Sequence, residues 1–166
     1  VPGAVAPAGT SLRFDGPDGF TQTVNTDAEG RFVFDLPVGM AGSLQASRAF
    51  APGIDKTLDI FDVIALFNVV SGSVPVATVG VPGLIAADYN KDGSADIFDV
   101  IALFNHVAGN SGALAPRYVF IDLDADLGTP DASAVPMPGD INVEVLASSD
   151  SLTLTAILTG DVFGFT

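Results

Sequence analysis

A twelve-residue stretch, DYNKDGSADIFD at positions 88–99, alternates oxygen-bearing side chains with other residues and carries a glycine at its centre. A hard cation of calcium's size takes roughly six to eight oxygen ligands, and such an alternation lets one loop wrap around it. Gly93, sixth in the stretch, permits the sharp turn that the wrapping requires. The spacing therefore predicts a calcium site whose ligands are, in chain order, Asp88, Asn90, Asp92, Ser94, Asp96 and Asp99.

These ligands are expected to act in different ways. Ser94 offers its backbone carbonyl oxygen, Asp96 binds directly or through water, and Asp99 closes the shell from the first turn of the following helix. Zinc prefers histidine or cysteine, and magnesium prefers fewer protein ligands with a phosphate substrate, so calcium is the expected cofactor. The alternative, a solvated turn rich in Asp, Asn and Gly, explains the composition but not the spacing. We expect no helix before the loop.

The segment after the loop occurs twice in the chain. LDIFDVIALFNVV begins at residue 58 and recurs as ADIFDVIALFNHV from residue 95, an offset of 37. In the second copy the apolar residues Ile97, Val100, Ile101 and Phe104 fall at i, i+3, i+4 and i+7, which predicts a helix. The first copy repeats the pattern. We expect most of these side chains to belong to a helical core.

A duplicated calcium loop and helix with Asp in the twelfth place resembles the type I dockerin, over about residues 51–109. Dockerins are extracellular modules that bind cohesin domains on multi-enzyme scaffolds. The resemblance implies that the tenth and eleventh residues of each loop contact a partner. Apolar pairs at these places also fit burial against the rest of the protein, so both interpretations stay open. The pairs are Ile60, Phe61, Ile97 and Phe98.

The first copy keeps only part of the ligand pattern. Ala51 and Gly53 stand where the first and third ligands would be, and Lys56 replaces the central glycine. Either this copy survives as packing alone, or another segment supplies the missing oxygens. TGDVFG near the C-terminus resembles the opening of a dockerin loop. A second candidate calcium site therefore comprises Asp55, Asp59, Asp62 and Asp161.

A third acidic run, DLDADLGTPD at 122–131, places carboxylates at alternate positions after a predicted strand. It lacks a glycine in the sixth place and a helix after it. A solvated strand end explains it as well as a metal site does. The third set of candidate calcium ligands is Asp122, Asp124 and Asp126.

Short alternating segments with turn residues between them flank the helix pair. We expect strands at TSLRF, FTQTVNT, RFVFDL and GSLQASRA, and after the helices at PRYVFIDL, INVEVL, SLTLTAIL and DVFGF. The predicted fold is mainly β with an α insertion: an antiparallel β-sandwich (11–50 and 114–166) carrying a dockerin-like pair of calcium loop and helix units (51–113). Residues 1–10 are predicted to be a flexible or strand-donating arm. The arrangement resembles bacterial secreted or surface proteins that set such a pair in a carboxypeptidase-regulatory-like or collagen-adhesin B-like sandwich.

Composition argues against several function classes. Twenty acidic and six basic residues give a net charge of −14, which repels nucleic acid and anionic membranes. The chain has one histidine, His106, and no cysteine or GxSxG motif, so a nucleophile triad lacks its parts and we expect no enzyme. No apolar run reaches the roughly 18 residues of a membrane span. The start at Val1 without an initiator Met is typical of a processed mature protein or of an excised fragment. A removed secretion signal is the simpler explanation, and we expect a secreted or cell-surface location.

These observations predict an extracellular calcium-binding structural protein that self-assembles, in which calcium locks the helix pair onto the sandwich. The partner would be another copy of the chain, joined by strand addition through the arm to give a homo-oligomer or polymer. The alternative is a dockerin-like adaptor that docks a cohesin-type receptor on a cell-surface or multi-enzyme scaffold. Neither nucleic acid binding nor membrane insertion is expected.

Overall fold

The computed structural model describes residues 7–164, and its helices and antiparallel strands contain nearly equal numbers of residues. The fold is therefore mixed α and β, and the prediction of a mainly β chain overestimated the share of strand. Most of the predicted arm lies outside the described residues. In chain order the elements are β1 (Ser11–Asp15), β2 (Thr21–Asn25), β3 (Ala41–Ser47), α1 (Ile60–Val70), α2 (Val76–Ala87), α3 (Ile97–Val107), β4 (Tyr118–Asp122), β5 (Ile141–Glu144) and β6 (Leu154–Leu158).

The larger sheet has four antiparallel strands in the order β2-β1-β3-β5. Its strands alternate apolar and polar residues, so one face builds a core around Leu12, Phe14 and Leu44. Leu44 of β3 pairs with Phe14 of β1 and with Ile141 of β5. Segments from both ends of the chain thus share one sheet. The predicted antiparallel arrangement of these segments is confirmed.

Two predicted strands are absent from the described sheets. Residues 31–36 alternate as a strand does, with Phe32 and Phe34 packed on the core of the larger sheet, but they join no strand ladder. The predicted strand DVFGF forms a turn over its described residues. There Val162 is buried in the helical core, and the peptide N–H of Gly160 donates to the carbonyl oxygen of Ala86 at 2.8 Å. Packing against the helices therefore replaces strand pairing at this end.

The smaller sheet, β4 paired with β6, is covered on both faces. Val119 and Ile121 belong to the core formed with the helices. Phe120 and Ala156 pack instead against Ala46 of the larger sheet. Burial on both sides explains why all five residues of β6 are buried. The small sheet connects the helices to the larger sheet.

The helix α2 contradicts the expectation that no helix precedes the loop at 88–99. It is broken at Gly80, whose φ is +66°, and restarts with Pro82 in its first turn, where proline's missing N–H costs little. From Val81 to Ala87 every residue but Pro82 is buried, so the segment has no polar face and gives no amphipathic signal. Among the described helices, none is long and apolar enough to cross a membrane.

Candidate metal centre

The helix α2 leads directly into loop 88–99, and α3 leaves it. The start of α3 is a capping box: the Asp96 carboxylate accepts from the backbone N–H of Phe98 at 2.8 Å, and Asp99 accepts from that of Asp96 at 2.9 Å. The start of α1 repeats this arrangement with Asp59 and Asp62. The last two predicted ligands of each copy therefore fix the first turn of a helix.

Asp88, the first predicted ligand, organises the turn inside the loop. Its side chain is 3% exposed, and its two carboxylate oxygens each accept a backbone N–H at 3.0 Å, one from Asp92 and one from Gly93. Gly93 has a φ of +88°, a conformation that glycine adopts without strain. The predicted role of this glycine as the sharp turn is confirmed.

Asp99, the last predicted ligand, closes the loop. Its side chain is completely buried, and one carboxylate oxygen accepts the backbone N–H of Asn90 at 2.9 Å, while the other accepts that of Asp96. Asp99 thus holds two other predicted ligand residues, Asn90 near the start of the loop and Asp96 near its end. Between them, the Asn90 side-chain amide donates to Asp92 at 2.9 Å, and Asp92 accepts from the backbone N–H of Ser94 at 3.0 Å. Hydrogen bonds within the loop therefore link all six residues that were predicted to supply ligands.

The acidic side chains of this loop have no ion-pair partner among residues 7–164. Burial, reinforced by the charges of Asp88 and Asp92, raises the pKa of Asp99 to about 6. Burial also raises the pKa of Asp88. The nearby guanidinium of Arg117 donates to the Tyr89 carbonyl oxygen at 2.9 Å and not to a carboxylate. Buried carboxylates in this state are stabilised either by protons or by a cation.

The loop's donor chemistry fits calcium. The candidate ligands are all oxygens, carboxylates dominate, and a carboxylate that accepts one N–H on each oxygen still has lone pairs for a cation. Across the described part of the chain, no three acidic or histidine side chains converge as a metal centre. The calcium assignment therefore rests on donor type, spacing and buried charge.

A contact that the sequence did not predict clamps the loop from outside. The backbone N–H of Ala95 donates to the carbonyl oxygen of Ala132 at 2.7 Å, and that of Val135 donates to Gly93 at 2.9 Å. Ala95 and Val135 also share the helical core. The clamping segment follows the third acidic run and has no local pattern that announces this role.

The second candidate site is organised around basic side chains. The Lys56 ammonium lies 3.0 Å from an Asp62 carboxylate oxygen and 2.7 Å from one of Asp161, so these two predicted ligands do come together. Asp55 pairs with Arg48 at 2.7 Å, and this guanidinium lowers the pKa of Asp55. Sequence reasoning did not assign roles to Arg48 or Lys56, although a lysine in the place of the central glycine was a signal.

The third acidic run forms separate turns. Asp122 accepts the backbone N–H of Asp124 at 3.0 Å, and Asp126 accepts that of Gly128 at 2.9 Å. Asp124 and Asp126 are exposed. These are the contacts of a solvated turn after a strand.

The predicted partner-binding residues are exposed in both copies. Phe61 is 74% exposed and Phe98 is 64% exposed, and the isoleucine before each is nearly half exposed. The prediction that most of the apolar helix residues belong to the core was wrong for Ile97, Ile101 and Phe104, and equally for their counterparts in α1, which are Ile60, Ile64 and Phe67. The buried face of α3 is formed by Asp99, Val100 and Leu103, because a helix this apolar allows more than one choice of face. We call the exposed set the Ile/Phe face: Ile60, Phe61, Ile64, Phe67, Ile97, Phe98, Ile101 and Phe104.

Comparisons with protein-family models, with curated proteins and with solved structures find no match for the chain. The dockerin resemblance therefore rests on the loop spacing and the duplication alone.

Proposed function

We propose that this chain is an extracellular calcium-binding structural protein that assembles with other copies of itself. Calcium in loop 88–99 fixes the start of α3 and so holds the Ile/Phe face in shape. The observation that carries the calcium part is the burial of Asp88 and Asp99, neither of which forms an ion pair within residues 7–164. Removing charged carboxylates from water is costly unless a cation compensates.

The Ile/Phe face supports a role in binding protein. Its eight large apolar side chains stand at equivalent positions of two helices that pack against each other, so the exposed apolar surface of one helix repeats on the other. Exposed apolar patches of this kind mark interaction surfaces. The two copies would offer a partner equivalent contacts.

A second feature supports association between copies. Strand β5 is an edge of the larger sheet, and beside it a cleft of about 610 Å³ opens between residues 32–36 and 142–152. Phe34, Val143 and Leu152 contribute to its apolar wall. An extended segment from a neighbouring molecule could add to such an edge and fill the cleft with its side chains. We assign this role to residues 1–6, the first part of the predicted arm. The last residue of that arm, Thr10, is not available, because its backbone N–H already donates to the Thr26 hydroxyl oxygen within the same chain.

The adaptor is the second candidate function. It is favoured by the exposure of Ile60, Phe61, Ile97 and Phe98, the positions through which a dockerin-like module would contact a cohesin-type receptor. In this case the partner would be a different protein, and the first six residues would not contribute.

Sedimentation velocity of the full chain and of a variant lacking residues 1–6, each with millimolar calcium and with chelator, tests the proposal. Self-assembly predicts large species for the full chain in calcium, and their loss in chelator or in the truncated variant. A full chain that stays monomeric but gains thermal stability in calcium supports the adaptor. A chain indifferent to calcium in both size and stability contradicts both functions.

A further inference from the structure

The two copies of the repeat differ at the centre of their loops. Lys56 stands where the second copy has Gly93, and Asp62 stands where it has Asp99. The Lys56 ammonium lies 3.0 Å from an Asp62 carboxylate oxygen. In the second copy, the equivalent carboxylate has no ion-pair partner among the residues described.

A further carboxylate reaches the same ammonium group from the far end of the chain. Asp161, in the turn after β6, places an oxygen 2.7 Å from it. The side chains of Asp62 and Asp161 are largely buried, whereas half of the lysine side chain is exposed. Burial acts to lower the pKa of Lys56, but the two carboxylates outweigh it and raise the pKa overall. The amine therefore stays charged between two anions.

A second basic side chain forms an ion pair with the first copy of the repeat. Arg48, just after β3, contacts Asp55 at 2.7 Å, and both side chains are nearly buried. The Arg48 guanidinium also lies over the Tyr118 ring, 4.9 Å from its centre. Two of the acidic residues that remain from the first loop's ligand pattern, Asp55 and Asp62, are thus paired with basic side chains of the same chain, whereas Asp59 caps α1.

We infer that the Lys56 ammonium takes the place of calcium in the first copy, where it joins the start of α1 to the C-terminal turn through Asp62 and Asp161. This half of the helix pair is held without metal, and the protein binds one calcium ion and not two in its repeat. The role of Lys56 stands by itself. The count of one ion rests on the proposed function of loop 88–99.

Thermal unfolding in chelator tests the role of Lys56 independently of any calcium site. Lys56→Met should lower Tm by about 2 to 4 °C, because it leaves two largely buried carboxylates facing each other. Asp161→Asn should lower it less, and Lys56→Met combined with Asp161→Asn should lose clearly less than the two single changes added together. Lys56→Arg should restore most of the loss.

Arg31→Met is the control, because Arg31 is an exposed basic residue outside both loops with no ion pair among the described residues. Its Tm in chelator should not fall. Strictly additive losses for Lys56 and Asp161, or a loss at Arg31 as large as that at Lys56, would overturn the inference.

Titration calorimetry with calcium tests the stoichiometry. The full chain should bind one ion in the repeat, and Asp161→Asn should leave that number unchanged. Two ions, one of which disappears in Asp161→Asn, would show that a metal and not the lysine organises the first copy. If the chain binds no calcium, the proposed function fails, and the coupling between Lys56 and Asp161 in chelator still decides the role of the lysine.

Discussion

Asp62 and Asp99 occupy the same position in the two copies, each closing the capping box of its helix, but within residues 7–164 only Asp62 forms an ion pair. The two helices begin with the same nine residues, IFDVIALFN. The starts of the two helices can therefore be compared directly. At the start of α1 the Asp62 carboxylate has Lys56 as its counter-charge, whereas at the start of α3 the fully buried Asp99 carboxylate has no ion-pair partner among the described residues. This difference explains why we place calcium at the second copy.

Stability should depend on pH more strongly without calcium than with it. The pKa of Asp99 is raised to about 6, and that of Asp88 is raised as well, both mainly by burial. A carboxyl whose pKa is higher in the folded state stabilises the fold fully below its unfolded pKa near 4, and this contribution is lost as the pH rises through about 6. In calcium-free buffer, Tm should therefore rise as the pH falls from about 7.5 to about 5.5.

With calcium present, the same acidification should shrink the stabilisation by the ion, since the ligands must be deprotonated to bind it. Calorimetry over this pH range measures both trends. Asp99→Asn is the control, because it removes the titrating group and should flatten the calcium-free slope. An unchanged slope in that variant would show that other groups produce the pH dependence.

Gly160 should be far more sensitive to substitution than other glycines with positive φ. Its φ is +93°, and an added Cβ would lie 2.7 Å from Leu58 Cδ1 and 3.1 Å from Leu103 Cδ1, both in the helical core. Gly109, with a φ of +69° and no atom within 4 Å of an added Cβ, is the matched control. Gly109→Ala should cost about 1 kcal/mol from backbone strain alone.

Gly160→Ala should cost roughly 1 to 3 kcal/mol more than the control, because the core must also shift. Urea unfolding of both variants gives the difference directly. Equal losses would mean that the turn after β6 does not press into the helical core as the structure describes.

Substitutions in the Ile/Phe face should weaken association between molecules and leave the free energy of unfolding nearly unchanged. Phe61→Ser and Phe98→Ser remove side chains that are mostly exposed, so each should change the free energy of unfolding by no more than about 0.5 kcal/mol. The double variant should lose association in calcium, as measured by sedimentation velocity. Leu123→Ser, at a residue 51% exposed outside both the face and the cleft beside β5, is the control and should associate normally. Normal association of the double variant would remove the face from the proposal.

Local patterns in the sequence predicted local structure well. The twelve-residue spacing predicted the turn at Gly93, and the repeat predicted α1 and α3. The helix α2 was missed because Gly80 and Pro82 interrupt it and burial on all sides removes its periodicity. At 31–36 the alternation correctly indicates which side chains face the core, but not whether the backbone finds a partner strand.

Contacts between distant segments could not be predicted in the same way. The clamp of Ala132 and Val135 on loop 88–99 joins residues about forty positions apart, and no composition or spacing marks it. The meeting of Asp161 with the start of α1 was partly foreseen from its resemblance to a loop opening. The lysine between them was visible in the sequence, but its role needed the fold.

Calcium-dependent thermal unfolding of the wild type, Asp99→Asn and Asp62→Asn tests the central claim most directly, because the two substitutions are equivalent by the repeat. If the dissociation constant is about 10 µM, about 1 mM calcium adds roughly 2.7 kcal/mol and should raise Tm by about 5 to 10 °C. We predict this increase for the wild type and Asp62→Asn and its loss in Asp99→Asn. An increase that survives in Asp99→Asn, or no increase in the wild type, would contradict calcium binding in loop 88–99.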